Sequence, residues 1–163
     1  MTLYQGALDS DGNRRAVGGY LPFVSHSLWT FSAATTGAQG THVVFNVTGD
    51  ILFDVFATVR TDLTGASAVV GLGNTSNPNA IVGNTTATDC DAGLVLAAGG
   101  AGSPSTLGLM NVATYVNMYL LSGTSQDVCL RVGTADVTGG ALDIYCLWKP
   151  LRDGSDVTVA TPA

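Results

Sequence analysis

The stretch ILFDVFATVR, residues 51–60, puts Ile51, Phe53, Val55, Ala57 and Val59 at every second position, with Asp54 and Thr58 between them. Successive side chains of a strand point to opposite faces, so this spacing predicts a half-buried β-strand with one apolar face. HVVFNV, residues 42–47, reads as a second strand, separated from the first by the turn-forming Thr48, Gly49 and Asp50. TDLTGA, residues 61–66, then turns the chain into a third strand over 67–72. Glycine, aspartate and threonine between apolar alternating runs are turn chemistry, because they tolerate or hydrogen-bond the bent backbone.

The same reading extends outward in both directions. On the N-terminal side lies a short strand over 27–31, preceded by residues 1–26, which read as an arm. Within that arm DSDGN (9–13) offers a turn, and GGYLPF (18–23) is a flexible piece ending in a proline-stiffened apolar patch. On the C-terminal side the loop GLGNTSNPNA takes its turn chemistry from Asn74, Asn77, Pro78 and Asn79. Short strands over 80–82 and 94–96 bracket the Thr/Asp-rich GNTTATDCDA, and AAGGAGSPSTLG (97–108) is the longest break. Strands over 115–121, 126–132 and 141–148 close the series; in the last, Leu142, Ile144, Cys146 and Trp148 alternate with Asp143, Tyr145 and Leu147. Pro150 ends it, since proline cannot donate to a strand ladder. About nine strands at such spacing, with no amphipathic helix among them, predict an all-β fold, an antiparallel β-sandwich or jelly roll. The expected organisation is an extended N-terminal arm (1–26), a sandwich domain (27–152) and a loose polar C-terminal tail (153–163).

Composition agrees and narrows the function. A chain of 163 residues fits one domain with core enough to fold unaided. All 12 acids are Asp, and Lys149 is the sole lysine, so the good helix formers Glu and Lys are nearly missing beside 21 glycines. Charged residues are 11% of the chain against a usual share of about 25%, which leaves an apolar or hydroxyl-rich surface and predicts self-association. The net charge of −6 argues against nucleic acid as a partner, since phosphate binding needs clustered Lys and Arg. No stretch approaches the ~20 apolar residues of a membrane span. The opening MTLYQGALDSDGNRR has neither the charged start nor the apolar run of a signal peptide, so synthesis and assembly in the cytoplasm are expected. Asn46, Asn74 and Asn84 sit in N-x-[ST] triplets, read here as products of an Asn/Thr-rich composition.

Residues with chemical potential are sparse and unconvergent. Cys90, Cys129 and Cys146 show no metal-finger spacing and read as reduced core thiols, with a Cys129–Cys146 disulfide open if their strands are neighbours. His26 and His42 have no partner suggested by spacing. Asp89 and Asp91 flank Cys90 and read as turn-capping acids rather than a catalytic pair. Asp9, Asp11 and Asn13 follow the order of a partial calcium loop but lack its remaining acids, so no metal or other cofactor is expected. The chain therefore reads as no enzyme. The candidate interface residues are the arm's Arg14 and Arg15 with the aromatic anchors Tyr20, Phe23 and Trp29. Tyr115, Tyr119, Tyr145 and Trp148 could line a strand face, although aromatic strand residues usually belong to a core.

The run FNVTGDILFDVFATVRTDLTGASAVVGLGNTSNPNAIVGNTTATDCDAG resembles a group of small proteins encoded in the virion-structure modules of tailed phages. The likeness lies in an apolar strand, TGD, a second strand, an LTG turn, a V-G-x-x-G-N loop and T-T-A-T-D-x-D-A-G; GGALDIYCLWKPL (139–151) resembles that group's closing strand. The resemblance implies a bacteriophage virion component, and the expected role is a capsid decoration (cement) protein on the outer surface of the head. Its implied partners are the major capsid protein and further copies of itself, expected as a homotrimer. The rival expectations are a tail-tip, neck or head-fibre subunit, and a carbohydrate-binding module built on Tyr119, Tyr145 and Trp148.

Overall fold

A computed structural model describes residues 22–98, 105–106, 119–121 and 126–161. The strands are β1 (Phe23–Thr30), β2 (Gly40–Thr48), β3 (Ile51–Thr64), β4 (Val69–Asn74), β5 (Val82–Thr86), β6 (Leu94–Leu96), β7 (Ser105–Thr106), β8 (Tyr119–Leu121), β9 (Val128–Gly133), β10 (Gly139–Pro150) and β11 (Asp156–Val159). A single 3-10 turn, Ala87–Asp89, interrupts them. They form two antiparallel sheets: a six-stranded one in the order β1-β10-β3-β6-β7, with β8 also on β3, and a five-stranded one in the order β11-β2-β9-β4-β5.

That order is a jelly roll. The pairs β1·β10, β2·β9, β3·β8 and β4·β5 are those of one long antiparallel ribbon folded back on itself. Rolling the ribbon up adds the pairs β3·β10 and β4·β9, so that β1 to β4, and again β8 to β11, alternate between the two sheets. Residues 48–50 thus carry the chain from one sheet to the other, with Gly49 in the left-handed region at φ 74°.

The core is what the alternation of β3 predicts. Ile51, Phe53, Val55, Ala57 and Val59 are buried, together with Leu142, Ile144, Cys146 and Trp148 of β10. Facing them across the sandwich are Val70 and Leu72 of β4 with Val128, Leu130 and Val132 of β9. In β2 the register against β9 slips at Val44, so Val44 and Phe45 are both buried although adjacent in sequence. An extra residue in one strand produces this, at the cost of one ladder position. The Asn74 side chain accepts hydrogen bonds from the Ser76 and Asn77 amides, as its turn position predicts.

Several boundaries differ from expectation: the strand expected over 80–82 is Val82–Thr86, inside the Thr/Asp-rich segment, and β10 runs on to Pro150, which pairs with Ile51 at the strand end. β1 begins at Phe23 and pairs with β10 from there on, so a domain limit at residue 26 would cut through a strand. β3 continues through Thr64 because Leu63 turns inward and is 3% exposed. The polar segment after 153 is not wholly loose: β11 pairs with β2, and Val157 is buried. Residues 115–118 of the expected strand at 115–121 lie outside the described residues.

Candidate interaction surface

The outer face of the six-stranded sheet carries the chemistry. Because Ile144 and Cys146 face the core, Asp143, Tyr145 and Leu147 of β10 face away from it. The register sets three cross-strand rows over β1, β10 and β3: Val24–Leu147–Asp54, His26–Tyr145–Phe56 and Leu28–Asp143–Thr58. In the middle row the rings stack. His26 and Tyr145 have centroids 4.8 Å apart at 28°, and Tyr145 and Phe56 are 5.1 Å apart at 17°. Stacked aromatic pairs of this kind add about 0.5–1.5 kcal/mol each beyond their buried area.

Beside the rings Asp143 holds two partners. The Arg60 guanidinium donates through Nε to Oδ2 at 2.7 Å and through Nη2 to Oδ1 at 3.0 Å, a bidentate fork. His26 Nε2 lies 2.8 Å from Oδ1, and since a carboxylate can only accept, Nε2 carries the proton. The Arg60 fork holds the Asp143 carboxyl below its ordinary range, and the same bond raises the Arg60 pKa. Arg60 reaches Asp143 because it is the extra residue where Val59 pairs with Leu142 and Thr61 with Ala141. Gly140, just before, adopts φ 103°, a conformation that a side chain disfavours.

Asp54 on the same face behaves differently. Its Oδ1 accepts the Val55 amide at 2.9 Å, and no cation pairs with it among the described residues. Burial accordingly raises its pKa. Around these polar groups the face is apolar. Val24 is 60% and Leu28 47% exposed at the β1 rim, and Leu120 on β8 is 63% exposed at the opposite rim. Solvent-facing leucine and valine at both rims leave apolar area on this sheet face open to a partner.

The expected interface residues divide. Arg14, Arg15 and Tyr20 lie outside the described residues. Phe23 opens β1, is 41% exposed and packs on Trp148 with centroids 4.8 Å apart. Trp29 is not a surface anchor: it is 1% exposed, and its indole donates to the Thr36 carbonyl at 3.1 Å inside the core. It faces inward because it shares parity with Ser25 and Ser27, which line the core side of β1.

The tyrosine and tryptophan residues do not form one stripe. Trp148 is a core residue whose indole donates to Ser25 Oγ, Tyr119 sits beside Phe53 on the core side, and Tyr145 is on the outer face. Tyr115 lies outside the described residues. His42 hydrogen-bonds the Ala38 carbonyl at 2.8 Å. Asp89 and Asp91 are exposed, and the acid that caps the neighbouring turn is Asp62, which accepts the Ala92 amide at 2.7 Å. The cysteines are free and buried, Cys129 in β9 and Cys146 in β10, in different sheets. Among the described residues no three His, Cys or Asp side chains converge as metal ligands would. Asp9, Asp11 and Asn13 lie outside them.

The cluster Arg60–Asp143–His26 was not legible from spacing. A lone acid in the otherwise apolar ALDIYCLW was the one available signal, since such an acid calls for a cation across the strand. No protein-family model, curated protein or solved structure matches the chain.

Proposed function

We propose that this chain is a structural subunit of a tailed-phage particle, a decoration protein seated on the outer surface of the head and bound to the major capsid protein. What carries this reading is the outer face of the six-stranded sheet, whose exposed Val24, Leu28 and Leu120 suit a subunit packed against a neighbour in an assembly, a second copy or the shell. The sequence resemblance to virion-module proteins supplies the kind of assembly. The jelly roll is compatible with it, although that fold also hosts unrelated functions and does not choose among them.

On this reading the domain is a rigid plug. Repeated weak contacts from many copies clamp neighbouring capsid subunits, and their combined strength exceeds that of any one contact. The arm upstream of β1 adds reach to a neighbouring subunit. Because β1 begins at Phe23, the deletion that isolates the arm is residues 1–21.

Add-back to particles tests the reading. Heads from a phage lacking this gene are mixed with purified full-length chain and sedimented. The full-length chain is expected to pellet with the heads to saturation, and the 1–21 deletion to pellet less while keeping its far-ultraviolet circular dichroism. A full-length chain that stays in the supernatant would overturn the decoration role.

A further inference from the structure

We propose that the outer face of the six-stranded sheet is a self-complementary contact, occupied by the same face of a second copy of this chain. The inference deepens the structural-subunit reading and rests on it for its biological setting.

Charge selects the occupant. The chain carries −6 overall. On this face the described charges nearly cancel, Asp54, Asp143 and, by the outward parity of β3, Asp62 against Arg60 and Lys149. Elsewhere the described acids are Asp50, Asp89, Asp91, Asp127, Asp136, Asp153 and Asp156, against Arg131 and Arg152, so seven minus two leaves −5 off this face. A second copy is repelled wherever acidic surface meets acidic surface, and the repulsion is smallest where the two nearly neutral faces meet. A cationic partner would instead prefer the acidic remainder.

The pattern on β3 is also self-complementary. Asp54, without a cation partner among the described residues, and Arg60, whose side chain is 54% exposed beyond its bond to Asp143, lie six residues apart on one face with Ala57 midway. A two-fold axis crossing β3 at the level of Ala57 places Asp54 of each copy opposite Arg60 of the other, and both pairs form together. Isologous contacts require this kind of reciprocity. The same axis sets Leu28 of one copy against the His26 ring of the second, one residue to either side of Ser27, which shares a row with Ala57. A contact of this symmetry builds pairs, whereas the homotrimer expected at the outset would need a different surface.

Sedimentation equilibrium of the full chain at neutral pH tests the inference, with Leu28→Asp and Asp54→Asn as variants. The expected result is a dimer whose dissociation constant rises about tenfold or more in each variant, with circular dichroism unchanged. Leu28→Ser substitutes for Leu28→Asp if the latter fails to fold. A monomeric wild-type chain, a trimer, or a dimer indifferent to both substitutions would overturn the proposal. Any of these results leaves the decoration role standing, because that role is decided by binding to heads.

Discussion

Trp29 offers the sharpest test of the fold, because sequence and structure assign it opposite roles. Replacing it by alanine removes a side chain that is 1% exposed and abolishes the indole bond to the Thr36 carbonyl. An aromatic side chain buries roughly 150–250 Å², which at about 25 cal/mol/Å² corresponds to roughly 4–6 kcal/mol before the retained methyl is subtracted. Large-to-small aromatic replacements in cores cost about 3–5 kcal/mol, and the His42 ring, 5.7 Å from Trp29, cannot collapse into the gap without giving up its bond to Ala38. For a chain of this length each kcal/mol moves the melting temperature by about 2–4 °C, so the expected loss is on the order of 10 °C. Thermal unfolding followed by far-ultraviolet circular dichroism measures it, and urea unfolding gives the matching free energy, neither relying on the missing fluorophore. Trp29→Phe keeps most of the apolar volume and should fall between wild type and alanine. An unfolding free energy within about 0.5 kcal/mol of wild type, the usual range for surface changes, would refute the burial of Trp29.

Three further outcomes follow from the geometry. Burial pushes Cys90 up to about 11 and Cys146 up to about 12, and raises Cys129, so a thiol reagent at pH 8 should label none of the three in the folded chain and all three in guanidinium; fast labelling of the native protein would contradict this. Asp143 has a folded pKa below its ordinary 3.8, so it stabilises the fold above that value and loses this contribution as pH falls through the lower folded value. The stability gap between wild type and Asp143→Asn should therefore be widest near neutrality and shrink below pH 3.8, and a gap independent of pH would rule out the Arg60–Asp143 bond as its source. Gly140→Ala would force a side chain into φ 103°, overlap the Asp62 carbonyl and sit 2.7 Å from Leu63 Cδ2, costing about 1–3 kcal/mol in backbone strain alone; an unchanged urea midpoint would remove the bulge from the account.

How much of this was legible in the sequence depended on which side of a strand carried the apolar residues. In β3 and β10 the apolar positions face the core, and the period of two located both strands and their buried faces. In β1 the pattern is inverted. Ser25 and Ser27 face inward, where Ser25 Oγ donates to the Val157 carbonyl and accepts the Trp148 indole, while Val24 and Leu28 face out. The inverted pattern gives no sign that Trp29, expected as an interface anchor, points into the core. β11 escaped notice because four residues give too short a period to read, and its partner β2 is more than a hundred positions away. The Arg60–Asp143–His26 cluster joins three strands, and no local pattern specifies the register that brings them together. The jelly roll likewise rests on which strands pair across long separations, which turn residues do not encode.

The decoration role is tested most directly by counting. Quantitative peptide mass spectrometry of purified particles gives copies of this chain relative to the major capsid protein. The account predicts a ratio near one or a simple fraction of it. A handful of copies per particle would move the chain to the tail or neck, and its absence from the particle would contradict a structural role altogether.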